Sequence, residues 1–230
     1  METKGRFLVN TEGASSFMEL ASTNTGSNAF LGDPEQFEAG AGPDIANAGI
    51  ALRQNVAKVA ALKNDPTRTE VQKHEAAAVL AERTLAQLEK SKAAIQARST
   101  ELWNSAVTQS ELTFAPKSDR GTLDSEIRQY LREQAGKPEG MMKIREAMKD
   151  KNVAGVVWHS PSFLLDINPA NHQKLKVEAL EQHLPDAYKK VADSLALGEL
   201  PAKYDKAINS VRTSFYNPAL AAKAKLRVEV

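Results

Sequence analysis

Apolar residues recur along this chain at steps of three and four over most of its length, and that spacing predicts an all-α fold. From Pro66 to Gln109 neither glycine nor a further proline interrupts the pattern. Val71, His74, Ala78, Ala81, Leu85, Leu88, Lys92, Ile95, Ser99, Leu102 and Ala106 fall on one heptad-like seam, broken at His74, Lys92 and Ser99. Its Leu85, Leu88, Ile95 and Leu102, with the adjacent Trp103, are expected to dock against another helix. At about 1.5 Å per residue the helix is a rod of roughly 60 Å. A shorter helix precedes it, signalled by Gly42-Pro43-Asp44 with Asp44 as N-cap and striped by Ile45, Ala48, Leu52, Val56, Val59 and Leu62. It should stop near Lys63. In Asn64-Asp65-Pro66-Thr67, Asp65 is expected to cap the long helix and Pro66 to take its first position. Residues 43–110 therefore predict a helical hairpin. The shorter helix covers about half of the longer one, so the part with Ile95, Leu102, Trp103 and Val107 needs the C-terminal region or another chain.

Residues 111–121 are a connector broken at Pro116 and Gly121, and residues 122–215 predict a multi-helix bundle. Ile127, Tyr130 and Leu131 form one apolar face, and Met141, Met142, Ile144, Ala147 and Met148 another. Further helices open at Pro169, Pro185 and Pro201. The run Val153–Trp158 suits a buried strand by composition, but its helical neighbours and the small Ala154 and Gly155 favour a helical turn. Trp158, Pro161, Phe163 and Leu164 are expected to form a core turn of this unit. Residues 216–230 are a tail whose final Leu226–Val230 alternates like an added strand or an extended tail.

Residues 1–42 stand apart. Thr11–Gly42 is rich in Gly, Ser, Thr, Asn and Glu, which argues against an independent fold. Yet Phe7, Phe17, Phe30 and Phe37, four of the seven phenylalanines, lie here with Met18 and Leu31. The pattern predicts an extended arm that lays Phe7, Phe17, Met18, Phe30, Leu31 and Phe37 into grooves on a partner. The competing reading folds the arm back on its own body. On the arm reading, removal of residues 1–40 leaves the helical body folded.

Aromatics are only 6% of the 230 residues, so helix packing supplies more of the order than a thick aromatic core. The net charge of +1 is spread evenly, as in Glu82, Arg83, Glu89, Lys90 and Lys92, which disfavours direct nucleic-acid binding. With no cysteine, disulfides, thiolate catalysis and cysteine-ligated metals are excluded. Neither a secretory signal nor a membrane span is read from the sequence. His74, His159, His172 and His183 share no ligand spacing, and no serine-nucleophile or phosphate-loop signature is present. Trp158-His159-Ser160 is the one segment that suggests a small site. No catalytic residue, metal or cofactor is predicted.

Glu126–Arg132, then Ala154-Gly155-Val156-Val157-Trp158-His159-Ser160-Pro161-Ser162-Phe163-Leu164, then a helix, resemble a loosely defined group of helical tailed-phage and prophage proteins encoded among virion genes. The likeness covers about residues 122–197. It departs from the group at Leu165-Asp166-Ile167, where Gly-Leu is expected. The resemblance implies a virion assembled in the host cytoplasm and brings no catalytic residue. The reading that follows is a non-enzymatic structural or accessory protein binding capsid, portal or tail proteins, or its own copies as a homo-oligomer. The alternatives are a scaffolding factor or internal ejected virion protein, and an enzyme whose site would be a pocket around His159.

Overall fold

The computed structural model describes residues 6–37 and 40–224. Among them every regular element is helical: α1 (Glu12–Ala21), α2 (Asn24–Leu31), α3 (Gly42–Lys63), α4 (Glu70–Phe114), α5 (Gly121–Ala135), α6 (Gly140–Ala147), α7 (Lys151–His159), α8 (Pro169–His183), α9 (Pro185–Gly198), α10 (Leu200–Ser214) and α11 (Pro218–Ala224). The all-α expectation therefore holds. Two compact units form, Met1–Ser99 with Leu195–Val230, and Thr100–Ser194. The expected bundle at 122–215 is thus divided, because α10 packs on α1 and α2 within the first unit.

In the first unit the segment read as an arm is helical and belongs to the core. Thr11 accepts from the Ala14 amide and Thr23 from the Gly26 amide, so each threonine caps the helix that follows it. On α1, Ala14, Phe17, Met18 and Ala21 lie at helical spacing and are all buried. Phe7 and Leu31 are buried as well, and the Phe17 and Phe30 rings meet at 5.1 Å. Phe37 is half-buried, beside Gly32. The linker-like Asn24–Asn28 folds because its polar groups find partners: Ser27 Oγ donates to the Asn24 carbonyl and accepts from Arg53 at 2.6 Å. Gly26 is required there, since a Cβ would lie 2.0 Å from the Leu20 carbonyl oxygen. The competing reading, an arm folded on its own body, is the observed one.

The hairpin forms as expected, with small changes at its ends. Helix α3 begins at Gly42, so Asp44 lies in its first turn and Ala41 takes the cap position. Asp65 does not cap α4; it accepts from the Thr67 amide and hydroxyl in the intervening turn. The start of α4 is set by Thr69, whose Oγ1 accepts from the Gln72 amide while Gln72 Oε1 accepts from the Thr69 amide. This is a capping box. Lys73 Nζ reaches the Lys63 carbonyl and Ser91 Oγ the Asp44 carbonyl, so α3 and α4 run antiparallel.

The buried ridge of α4 is His74, Ala77, Ala81, Thr84, Leu88, Ser91 and Ile95. Half of the expected seam is therefore right, and its second row is shifted by one residue. Leu85 is half-buried, while Thr84 and Ser91 are buried completely. Their hydroxyls make this possible. Thr84 Oγ1 donates to the Leu80 carbonyl and accepts from Asn55 at 2.9 Å. Ser91 Oγ meets the Tyr204 hydroxyl at 3.0 Å, and burial pushes that phenol up to about 12. Lys92, a seam position by sequence, sits at the edge and pairs with Asp205 at 2.6 Å.

His74 ends this ridge. Its Nδ1 accepts the Asn217 amide at 3.1 Å, which requires a neutral ring, and burial holds the imidazole below its usual range. Glu70 opposes that shift and Lys63 adds to it. The unfolded chain protonates this ring near pH 6.5, the folded chain only at lower pH, so the unfolded state binds more protons between the two. Stability is then complete above about pH 6.5 and falls as the pH drops below it. Buried His172 acts in the same direction. Replacing His74 with Asn keeps an acceptor and removes one titration. A thermal melt series from about pH 7 to 5 should show a shallower loss in the variant than in the parent; equal slopes would contradict the assignment.

In the second unit, Phe114, Leu131, Ile144, Met148, Val157, Leu165, Leu175 and Leu180 form a continuous core. The far end of α4 buries Leu102, Ala106, Ser110 and Phe114 in this unit. Trp103 lies off that face, 45% exposed, with Val107 and Leu112 also exposed. The tail contributes α11 to the first unit. The expected terminal strand, Leu226–Val230, lies outside the described residues.

Candidate functional site

The second unit carries a cavity of about 340 Å³. Its walls come from the end of α4 (Thr113, Phe114), the connector Ala115–Lys117, Arg120, one face of α5 (Asp124, Arg128), one face of α7 (Lys151, Asn152, Gly155, Val156, His159), and Ser160, Pro161 and Leu164.

Local sequence places these groups. Asp150 caps α7 by accepting from the Asn152 amide at 2.7 Å, which fixes Lys151 in the first turn. Asn152, Val156 and His159 then recur at helical spacing along the cavity wall. The Arg120 guanidinium donates to Asn152 Oδ1, tying the connector to α7. Arg128 donates to Ser125 Oγ one turn back. Behind the wall, Phe114 packs on Trp158 at 5.4 Å and edge-on to His183 at 6.2 Å. Lys176 lies 5.6 Å from the centre of the Trp158 ring, and burial lowers its pKa.

Three of the four histidines bond to backbone: His74 as described, His172 Nε2 to the Val157 carbonyl at 2.8 Å, and His183 Nε2 to the Met148 carbonyl at 2.7 Å. His159 differs. Its Nε2 is buried without a hydrogen-bond partner. That nitrogen is bonded neither to Ser160 nor to a carboxylate, so the Trp158-His159-Ser160 segment does not form a relay of the kind that activates a serine. Among the described residues no group of three or more His, Asp or Glu is placed to hold a metal.

The predicted core turn is the main correction in this unit. Trp158 is half-buried as part of the packing against Phe114, but Pro161 is exposed, Phe163 is 76% exposed and Leu164 37%. Ser162–Leu164 forms a tight 3₁₀ turn, closed by Leu164 N–H to the Pro161 carbonyl at 3.0 Å and Leu165 N–H to the Ser162 carbonyl at 3.1 Å. Its rotation sends Leu165 and Ile167 inward in place of Phe163 and Leu164. Asp166, at φ 54°, supplies the left-handed residue between them.

The structure thus gathers His159, Pro161 and Leu164 from the singled-out segment, while the arm residues pack within their own unit and Leu88, Ile95 and Leu102 of the seam serve the core, with Leu85 half-buried and Trp103 exposed. It adds Lys117, Arg120, Asp124, Arg128 and Lys151, which no spacing in the sequence connects. Their proximity depends on how α5 and α7 pack, an arrangement with no local signature. No helix among the described residues is long and apolar enough to cross a membrane. No protein-family model, curated protein or solved structure matches this chain.

Proposed function

We propose that this chain is a non-enzymatic structural or accessory protein of a phage particle, assembled in the host cytoplasm, that binds capsid, portal or tail proteins or its own copies. The observation that carries the reading is Phe163. The segment that resembles tailed-phage proteins presents this ring 76% exposed, with Leu164 beside it. Covering such a side chain in a partner's pocket returns roughly 1.5–3 kcal/mol. The turn that holds it is fixed by backbone hydrogen bonds, including Ile167 N–H to the Ser162 carbonyl at 3.2 Å, so little is lost to ordering on binding. Trp103 and Val107 offer a second apolar pair on α4. Balanced charge supports protein partners over nucleic acid.

The test is quantitative mass spectrometry of purified particles made from the genome that encodes the chain. A fixed copy number per mature particle is expected. Presence in immature particles alone would favour the scaffolding alternative, and absence from both would contradict a virion role.

A further inference from the structure

We propose that the cavity between α5, α7 and the 115–120 connector binds a small molecule bearing an oxyanion, phosphate or carboxylate, on a compact apolar body. Four cations, Lys117, Arg120, Arg128 and Lys151, line it against one carboxylate, Asp124. None of the four forms an ion pair with another described residue. Ion pairs do form elsewhere in the chain, as in Arg145–Glu178 at 2.8 Å and Lys92–Asp205 at 2.6 Å. Four like charges around one concavity repel one another, and an anionic occupant would relieve that repulsion.

The geometry suits an oxyanion in particular. Arg120 is held by Asn152 with the rest of its fork free of carboxylates, and a guanidinium matches two oxygens of a carboxylate or phosphate at once. His159 also lines the cavity, although its Nε2 is buried beneath the wall and out of a ligand's reach. Part of the remaining wall, Pro116, Val156, Pro161 and Leu164, is apolar beside the hydroxyl-bearing Thr113 and Ser160, so an anionic group on a small apolar body would fill the space. A volume of about 340 Å³ is enough for a ligand of that kind. This inference does not rest on the virion reading.

The experiment titrates the full-length protein with phenyl phosphate, benzoate and inorganic phosphate at matched ionic strength, following backbone amide shifts. Saturable shifts confined to residues 113–128 and 150–164 are expected for phenyl phosphate, benzoate or both. Saturation by one alone identifies phosphate or carboxylate as the source of the oxyanion. Inorganic phosphate should bind more weakly than its phenyl ester, because it leaves the apolar wall uncovered. Arg120→Gln should weaken binding at least tenfold, and so should Arg128→Gln, which leaves the Arg120–Asn152 bond intact. In the absence of ligand, Arg128→Gln should leave Tm unchanged or raise it, which a purely structural arginine would not do. Unsaturable shifts spread over the whole surface, or wild-type affinity in both variants, would overturn the proposal.

Discussion

Removing residues 1–37 should unfold the unit formed by Met1–Ser99 and Leu195–Val230, not merely release a tether. The deletion takes away α1 and α2, and with them the fully buried Met18, Ala21 and Leu31 together with Phe7 and Phe17. Each large apolar side chain contributes roughly 1.5–3 kcal/mol through burial. Four of them approach the 5–15 kcal/mol that typically separates a folded domain from its unfolded state. The loss also uncovers the faces of α3 and α10 on which α2 packs and strips the α1 contact from α10. Ser27, the buried partner of Arg53, goes as well. Hydrogen exchange checks this directly. Amides of α3 and α10 should lose protection in the truncated chain; protection equal to that of the full chain would mean that the N-terminal helices are dispensable.

The same segment shows where the sequence was readable and where it was not. Proline at the first helical position marked α8 and α9 at Pro169 and Pro185, and both begin there. That signal is strong because proline fixes φ and removes a donor the first turn does not need. The glycine-free run marked α4 for a similar reason, since nothing in it opposes helix formation. The N-terminal helices were hidden because their positions are filled by Ser, Thr, Asn and Gly, which read as loop by composition. Thr11 and Thr23 act there as caps, and Gly26 permits a close approach that only the folded arrangement requires. Their apolar residues were visible, but composition gave no indication that they cover α3 and α10.

Seam and site failed for related reasons. A pattern of hydrophobic positions favours Leu85 over Thr84, yet Thr84 is the deeper residue because its hydroxyl is satisfied by Leu80 and Asn55. Ser91 is the same case, satisfied by Asp44 and Tyr204. At the turn after α7, hydrophobicity alone favours Phe163 for the core, whereas the 3₁₀ geometry places Leu165 there. The basic cavity draws on α4, the connector, α5 and α7, and no periodicity links residues so placed.

Phe163 decides how much of the functional account stands, because an exposed aromatic on a rigid turn has either a partner or no role. Truncation of an aromatic anchor at the centre of an interface costs about 2 kcal/mol or more, which is roughly thirty-fold in affinity. Truncation of the same ring on a free surface changes stability by no more than about 0.5 kcal/mol. Phe163→Ser therefore separates binding from folding: at 76% exposure its loss leaves the core untouched. The variant should melt with the parent protein. The most direct measurement is the number of copies of Phe163→Ser relative to wild type in purified particles, with both chains produced at equal levels. A depletion of about thirty-fold with an unchanged Tm is the predicted result. Equal copy numbers for the two chains, or the absence of the wild-type chain from particles, would contradict it.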